Sequence, residues 1–298
     1  MTGKVVAVAN MKGGVGKTTI VVGLAETLAS VPLLGRRLKV LVVDLDAQAN
    51  SSICIAGDDV LEELLDAGAS IEVYLDRAVV HGERISLKNF IRRQATSLCA
   101  GHAPIALSLI PSSPELRYVE RDMICTLTKS GYSIEAVEGR VRELFVKEVD
   151  ALRREFDFIL FDCPPGISSF TEAVLKTSDI IITPVFPDTL STYGLVGFCN
   201  RVLASPRLAG GAIRRPYVLA NRVTPTALAN RRMQEMRLEA AQPDAGFHMF
   251  RTEVPQSAAL VSAVGYKDSA PTYARKYGNA QYVLEQLAAE TLEILNAN

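Results

Sequence analysis

The chain has 298 residues, of which 48% are hydrophobic and 22% are charged, and its formal net charge is -1 at pH 7. This composition is typical of a soluble globular protein, and the length allows one large α/β domain or two small ones. The net charge excludes a generally basic nucleic-acid binder, although a balanced total can conceal a local basic patch. The five cysteines are scattered without a C-x-x-C pair, which indicates reduced thiols rather than a zinc or iron–sulfur site. Neither a signal-peptide pattern nor an apolar stretch of about 20 residues is present, so we expect a cytoplasmic protein.

The first predicted elements are a strand at residues 4–9, a glycine-rich turn and a helix at residues 18–30. This order is the context of a phosphate-binding loop, in which backbone N–H groups and the positive end of the helix surround a polyphosphate. Lys17 would then reach the β- and γ-phosphates, and the hydroxyl of Thr18 would bind Mg²⁺. The sequence therefore predicts a nucleotide site at the end of the first strand.

This loop departs from the general pattern G-x-x-x-x-G-K-[ST] at its first position, which is Met11 instead of glycine. The rest of the pattern is met by Gly16, Lys17 and Thr18. A second lysine, Lys12, stands directly before a Gly-Gly pair. Because Lys12 would crowd Lys17 at the same phosphates, we expect Lys12 to act elsewhere.

Along the rest of the chain, apolar runs of strand length alternate with amphipathic segments of helix length. This alternation is typical of an α/β fold with a mostly parallel twisted sheet and helices on both faces. Further strands are predicted at residues 39–44, 105–111, 158–163, 180–185, 217–221 and 246–251. Helices are predicted at residues 58–67, 86–93, 133–156 and 277–296, and a polar loop at residues 94–104. We expect a single domain over residues 1–298, with residues 51–104 as an insertion or variable region.

Two aspartates, Asp44 and Asp46, end the second predicted strand. In a nucleotide-hydrolysing site, a carboxylate beside the γ-phosphate orients the attacking water and helps to hold Mg²⁺ through water. A pair of turn-forming aspartates at a strand end would give the same pattern. From these residues alone both interpretations stay open.

Two later strands also end in polar residues. Asp162 follows four apolar residues and precedes Pro-Pro-Gly, which is the Walker B arrangement of an aspartate that supports Mg²⁺ through water. Since many buried strands end in aspartate, this motif indicates a nucleotide site only in combination with the glycine-rich loop. Asn221 ends another strand and carries an amide that can read an adenine edge or, equally, cap the next turn.

Together, the motifs at residues 12–18, 44–50 and 162–166 resemble those of the ParA/MinD family of deviant-Walker ATPases, and among them the ParA-type partition proteins. The similarity runs from residue 4 to the last helix and is least in residues 51–104. It implies a P-loop NTPase fold of the deviant Walker A type. It also implies a homodimer that holds two ATP molecules between its subunits.

The resemblance further implies roles for individual residues. Lys12 would cross to the other subunit's nucleotide, as an arginine finger does, while Lys17 binds the β- and γ-phosphates. Asp46 would position the attacking water. Asp162 would support, through water, the Mg²⁺ bound by Thr18, and Asp46 is a further candidate for contact through water. The implied catalytic set is Lys12, Lys17 and Asp46, and the implied nucleotide-binding set is Gly13, Gly14, Val15, Gly16, Lys17, Thr18, Thr19 at the α-phosphate and Asn221 at the adenine.

Within this family, partition-type members bind nonspecific DNA, whereas division regulators bind membranes through a basic amphipathic C-terminal helix. The last predicted helix of this chain is acidic, so no membrane partner is expected. Nonspecific contact with DNA phosphates needs only clustered positive charge. The candidates for such contact are Arg214, Arg215, Arg231, Arg232, Arg237, Lys267, Arg275 and Lys276.

The function that the resemblance implies is an ATP-driven switch with ATP and Mg²⁺ as cofactors. The ATP-bound dimer would bind DNA, and a ParB-like or cargo-adaptor protein would stimulate hydrolysis to ADP and phosphate. The subunits would then separate and release the DNA. Repetition of this cycle would segregate plasmid or chromosomal DNA. In the ATP state the protein would associate with the nucleoid. The alternatives are a ParA-like ATPase that positions a protein cargo, a MinD-like regulator and, more distantly, a P-loop metabolic enzyme.

Overall fold

The computed structural model describes residues 2–204, 215–265 and 271–297, and in this part of the chain seven strands form one parallel sheet. These strands are β1 (Lys4–Val8), β2 (Val40–Asp44), β5 (Leu107–Ile110), β6 (Phe158–Asp162), β7 (Ile180–Val185), β8 (Tyr217–Ala220) and β9 (His248–Met249). Their spatial order is β5-β2-β6-β1-β7-β8-β9. A separate antiparallel hairpin consists of β3 (Cys99–Ala100) and β4 (Ala103–Pro104).

Helices connect the strands and cover both faces of the sheet. They are α1 (Lys17–Ser30), α2 (Asn50–Ala56), α3 (Asp58–Asp66), α4 (Ile71–Leu75), α5 (Leu116–Lys129), α6 (Ile134–Leu152), α7 (Ser169–Thr177), α8 (Thr189–Phe198), α9 (Ala227–Ala240), α10 (Ala258–Val264), α11 (Tyr273–Tyr277) and α12 (Gln281–Ala297). Short 3₁₀ segments lie at Leu87–Phe90 and Gly278–Ala280, and short π segments at Asp76–Val80 and Cys199–Leu203.

The core lies in two layers, one on each side of the sheet. Because successive side chains of a strand point to opposite faces, Val5 and Ala7 of β1 pack in one layer, while Val6 and Val8 pack in the other. The first layer contains residues of α4 to α7, and the second contains residues of α1 and α12. A sheet that is buried on both faces leaves its strand ends as the accessible places for ligands, which is where sites form in open α/β folds.

The predicted α/β sheet is confirmed, and every predicted strand has an observed counterpart, although residues 246–251 contain only the two-residue strand β9. The predicted helix at residues 86–93 is wrong. Only Leu87–Phe90 forms a 3₁₀ turn, because the backbone of Arg92 pairs in both directions with Leu109 of β5, at 2.8 and 2.9 Å, and is therefore extended.

Two further boundaries differ from the predictions. The polar loop at residues 94–104 contains the β3–β4 hairpin. The last helix begins at Gln281 instead of residue 277, because Gly278, with φ at +50°, ends α11 before the chain turns into α12. In the described residues, none of the helices combines the length and the apolar character that crossing a membrane requires.

Candidate functional site

The candidate site lies at the carboxyl ends of three adjacent strands at the centre of the sheet. Val8 of β1 is in register with Asp162 of β6, and Asp162 is in register with Asp44 of β2. The phosphate loop, which continues β1, therefore begins beside both carboxylates. The structure thus brings together the three motifs that are about 30 and 120 residues apart in the sequence.

The loop between β1 and α1 is held by side chains from neighbouring strands. Asn10 donates to the backbone oxygen of Pro184 at 2.8 Å and accepts from the backbone N–H of Lys12 at 2.9 Å. Gly16 has φ at +89°, and a Cβ atom built on it would lie 2.3 Å from the Asn221 amide nitrogen. Glycine suits this position because its backbone angle is left-handed and because a side chain would displace the amide of Asn221, the residue that follows β8.

Lys17, at the start of α1, lies inside the loop. Its Nζ donates to the backbone oxygens of Lys12 at 3.2 Å and Asn10 at 3.4 Å, and the residue is buried. Burial lowers the pKa of Lys17, while the nearby carboxylates Asp162 and Asp46 oppose that effect. A buried ammonium that contacts two carbonyl oxygens within the described part of the chain would gain a stronger partner from a phosphate bound in this loop.

Thr18 and Asp162 fit the predicted Mg²⁺ site. The Thr18 hydroxyl donates to Asp162 Oδ2 at 2.8 Å, so the hydroxyl that would bind the metal lies next to the carboxylate that would support it. The other oxygen, Oδ1, is buried and has no hydrogen-bond partner within the described residues. An unpaired buried carboxylate oxygen is costly unless something completes its shell, and a water ligand of Mg²⁺ would do so.

Asp44 is fully buried and anchors the loop that carries Asp46. Asp44 Oδ1 accepts from the backbone N–H of Asp46 at 3.0 Å, and Oδ2 accepts from the backbone and the hydroxyl of Ser52. Burial and the neighbouring Asp162 raise the pKa of Asp44, and burial also raises the pKa of Asp162. Asp44 is therefore a structural partner of the loop, whereas the half-buried Asp46 faces the open side.

Lys12 lies against the connection between β7 and α8 of its own subunit. Its Nζ donates to the Ser191 hydroxyl at 2.8 Å and lies 3.8 Å from Asp188 Oδ2 and 5.9 Å from the centre of the Phe186 ring. Asp188 also caps α8 by accepting from the Ser191 backbone at 2.7 Å. The Lys12 ammonium thus points to a different partner from the Lys17 ammonium.

Asn221 lies beneath the phosphate loop, where its amide nitrogen donates to the backbone oxygen of Val15 at 2.8 Å and its oxygen accepts from Arg222 N–H at 3.0 Å. Both polar atoms of the amide therefore have protein partners. Thr19 and Asn221 also line a cavity of about 310 Å³ together with Pro255. This cavity is therefore adjacent to the phosphate loop.

The basic residues that the sequence singled out divide into four groups. Arg231, Arg232 and Arg237 lie on α9, and each pairs with a carboxylate, Glu235 for the first two and Glu253 for the third. Arg215 and Arg275 are exposed, and Arg214 and Lys267 lie outside the described residues. Lys276 does not fit the prediction, because its ammonium is buried and pairs with the buried Glu26 at 2.7 Å, which leaves it no access to DNA.

The structure adds contacts that the sequence did not indicate. Ser51 donates to Asp162, and Ser191 and Asp188 hold Lys12. The spacing of Asp188 and Ser191 is that of a helix N-cap, which could have been read from the sequence. Nothing in the spacing of Ser51 indicates its contact with a residue 111 positions later.

The chain is similar to known proteins both in sequence and in fold. A family model described as an AAA domain matches residues 3–205. The sporulation initiation inhibitor protein Soj of Bacillus subtilis is 29% identical over 202 residues, which cover 67% of this chain and 65% of Soj, so the match spans just under two thirds of that relative.

Two solved structures share the fold at low sequence identity. A putative plasmid partition protein of Borrelia burgdorferi bound to AMPPNP has a TM-score of 0.62 at 18% identity and covers 99% of both chains. Cobyrinic acid a,c-diamide synthase of Mycobacterium smegmatis, with a bound ATP analogue and magnesium, has a TM-score of 0.65 at 19% identity and covers 98% of this chain and 94% of that one.

The first strand of the parallel sheet leads into a loop with Lys17 and Thr18, and Asp162 lies beside that loop at the end of β6. This arrangement defines the class of P-loop nucleoside triphosphatases. Within that class, the chain belongs to the ParA-type family of P-loop ATPases.

Proposed function

We propose that this protein is a partition or positioning ATPase that acts as a nucleotide-controlled dimer. ATP and Mg²⁺ promote dimer formation, the dimer binds nonspecific DNA, and a ParB-like or cargo-adaptor protein stimulates hydrolysis to ADP and phosphate. The observation that carries this proposal is the separation of two lysines, because Lys17 lies inside its own phosphate loop while Lys12 points away toward Ser191. A cation outside its own cradle is available to the phosphates of another subunit.

The surface around Lys12 supports contact with a second copy. Leu190 and Tyr193 of α8 lie beside Lys12, and they are 77% and 83% exposed. Exposed apolar side chains next to a functional cation are typical of a surface that is covered in a complex. In the proposed dimer, this face of α8 becomes buried at the moment when Lys12 reaches the partner's nucleotide.

The DNA contact of the proposed dimer involves Arg231, Arg232 and Arg237 of α9, together with the exposed Arg215 and Arg275. Each arginine of α9 already pairs with a carboxylate, so a single copy presents little net positive charge on this helix. Two copies side by side would double the number of arginines facing one duplex. This arrangement supports DNA binding, and thus association with the nucleoid, that depends on the ATP state.

Size-exclusion chromatography with light scattering tests the proposal directly. We expect the wild-type protein to be a monomer with ADP and a dimer with ATP and Mg²⁺, and to bind duplex DNA only as the dimer. Lys17→Ala should prevent nucleotide binding, whereas Lys12→Ala should retain ATP binding but remain monomeric. Lys129→Ala, which removes an exposed lysine of α5, is the matched control and should behave as the wild type.

Two results would contradict the proposal. The first is a monomer in every nucleotide state, together with a DNA affinity that does not change with ATP. The second is a Lys12→Ala variant that dimerises and hydrolyses ATP normally, which would remove the switch while leaving ATP binding intact.

A second candidate function is an ATP-dependent enzyme that acts on a small substrate. It is favoured by a cavity of about 400 Å³ beside Asp46, which is also lined by Arg117 and by the Pro164 to Ser168 loop. Such a cavity could hold an anionic substrate next to the γ-phosphate. ATP consumption that depends on a carboxylic acid and an amine donor, in the absence of DNA and protein partners, would support this alternative over the first.

A further inference from the structure

Ser51 lies in the first turn of α2, and its hydroxyl contacts the metal-supporting carboxylate. The residue is fully buried, and its Oγ donates to Asp162 Oδ2. The same oxygen accepts the Thr18 hydroxyl at 2.8 Å. Asp162 Oδ2 is therefore shared by two hydroxyl donors that come from two different segments of the chain.

This double contact fixes the orientation of the Asp162 carboxylate. Hydrogen bonds to a charged acceptor are strong and directional, so two donors on Oδ2 restrain rotation of the group about its terminal bond. The acceptor that remains is Oδ1, which is buried and has no partner in the described part of the chain. A carboxylate held in this way presents Oδ1 to a water ligand of the metal without having to reorient.

A tight turn joins Ser51 to the loop that carries Asp46. The backbone N–H of Ala49 donates to the Asp46 backbone oxygen at 2.9 Å, and Ala49 adopts φ of +51°, which is uncommon for a residue other than glycine. The Asp46 side chain accepts from the Gln48 backbone at 3.0 Å. Because these hydrogen bonds close the turn from Asp46 to Ala49, and Ser51 follows only two residues later, displacement of Ser51 would also displace Asp46.

We propose that Ser51 is a positioning residue that links the Mg²⁺ site to the Asp46 loop, so that metal binding at Thr18 and Asp162 orders the loop that positions the attacking water. This inference rests on the proposed ATPase function. Ser51 does not contact the metal. It acts through Asp162, in the way that outer hydrogen-bond partners orient metal ligands.

Nucleotide affinity measured with and without Mg²⁺ separates this role from a purely structural one. We expect Ser51→Ala to reduce the Mg²⁺-dependent gain in ATP affinity by about 10-fold, which is the lower end of the effect of such partners. The affinity in EDTA should stay within about twofold of the wild type, because no metal is then held by Asp162. Ser51→Cys, which keeps the size but donates only weakly, should give the same result and replaces the alanine variant if that variant does not fold.

The matched control is Ser30→Ala, which, like Ser51→Ala, removes a buried serine hydroxyl. Ser30 lies at the end of α1, and its hydroxyl has no hydrogen-bond partner within the described residues. Its Mg²⁺-dependent gain should equal that of the wild type. As a second measurement, hydrogen exchange of the amides of residues 46–52 should slow on addition of Mg²⁺ and ATP in the wild type, and much less in Ser51→Ala.

Two outcomes would overturn the inference. An unchanged Mg²⁺-dependent gain in both Ser51 variants would show that Ser51 does not act on the metal site. An equal loss of affinity with and without Mg²⁺ would show a structural role only. These outcomes are distinguishable from failure of the proposed function, in which the wild type itself neither binds ATP nor responds to Mg²⁺.

Discussion

At the scale of single residues, Gly14 and Gly16 of the phosphate loop share a positive φ but differ in their surroundings. A Cβ atom on Gly14 would meet no atom within 4 Å, whereas one on Gly16 would lie 2.3 Å from the Asn221 amide. We expect Gly14→Ala to lower the free energy of unfolding of the nucleotide-free protein by about 1–2 kcal/mol, which is the cost of the left-handed backbone alone. Gly16→Ala should lower it further, because Asn221 must also move.

Chemical denaturation of the two nucleotide-free variants provides this comparison, with Gly14→Ala as the matched control for backbone strain. Equal destabilisation by both substitutions would contradict the assigned contact between Gly16 and Asn221.

In the proposed dimer, the contact between Lys12 and Ser191 would break, because Lys12 would reach the nucleotide of the other subunit. A contact that must break before dimer formation favours the monomer, so its removal shifts the equilibrium toward the dimer. We expect Ser191→Ala to lower the protein concentration for half-maximal ATP-dependent dimerisation by about five- to thirtyfold, the equivalent of one net hydrogen bond in each of the two subunits. Analytical ultracentrifugation with ATP and Mg²⁺ measures this shift, and Thr192→Ala, one position along α8, is the control.

If Ser191→Ala instead weakened the dimer, the Ser191 hydroxyl would have to act in the dimer rather than in the monomer. That outcome would remove the idea that Lys12 is held back in the free protein.

The phosphate loop, Asp46 and Asp162 could be found from the sequence because each stands at a strand end with a local pattern. The side chains that contact these residues could not be predicted from the sequence. Lys12 meets Ser191 across 179 positions, and Ser51 meets Asp162 across 111. Such contacts depend on the order of strands in the sheet, which no local pattern contains.

At the scale of elements, the carboxylate of Glu290 fixes α12 to the chain after β9. It accepts from the backbone N–H groups of Arg251 at 2.7 Å and Thr252 at 2.9 Å, and from the Thr252 hydroxyl at 2.7 Å. Burial opposes the charge, but these hydrogen bonds outweigh it and hold the pKa of Glu290 below its ordinary value. The acidity of the last helix, which argued against membrane binding, thus also has a structural role.

Glu290→Gln should lower the free energy of unfolding by about 1–3 kcal/mol at pH 7, because an amide cannot accept all of these donors. The folded-state pKa of Glu290 is lower than the unfolded value of about 4.3, so its stabilisation is present above that pH and is lost as pH falls through the folded-state pKa. The difference between the variant and the wild type should therefore shrink below about pH 4.

Urea denaturation at pH 7 and at a series of lower pH values measures this difference. Glu293→Gln is the control, because the exposed Glu293 carboxylate forms a surface ion pair with the Arg251 guanidinium, and such pairs contribute little. A Glu290→Gln effect that did not change with pH would contradict the role of the charged carboxylate.

The strands could be predicted because buried parallel strands are short, continuous apolar runs. The helix predicted at residues 86–93 is wrong because the apolar and basic residues of this segment suit a helix, although the segment does not form one. Pairing of Arg92 with the edge strand β5 outweighs that local preference, and this pairing is visible only once the sheet is assembled.

At the scale of the whole molecule, the proposed DNA contact predicts a particular response to salt. Affinity should fall linearly on a logarithmic scale as salt rises, with a slope set by the number of neutralised phosphates. Arg231→Ala, which removes a 78% exposed side chain of α9, should weaken binding to all sequences alike and reduce that slope by about 1 per contact.

Fluorescence anisotropy with a labelled duplex at several salt concentrations, in ATP and Mg²⁺, measures both effects. Arg121→Ala removes an equally exposed arginine of α5 and should leave the slope unchanged. If both variants reduced the slope equally, the binding would depend on the total charge of the protein and not on α9.

The register of β1, β6 and β2 has one more consequence. Adjacent strands are separated by about 4.8 Å, so the strand register fixes the distances between the start of the phosphate loop, Asp162 and Asp44. Helices and loops beyond the strand ends can vary in length, and residues can be exchanged there, without altering these intervals. If the proposed function holds, a change of cargo would therefore require changes only at the surface of the protein, and the spacing of the nucleotide site would stay the same.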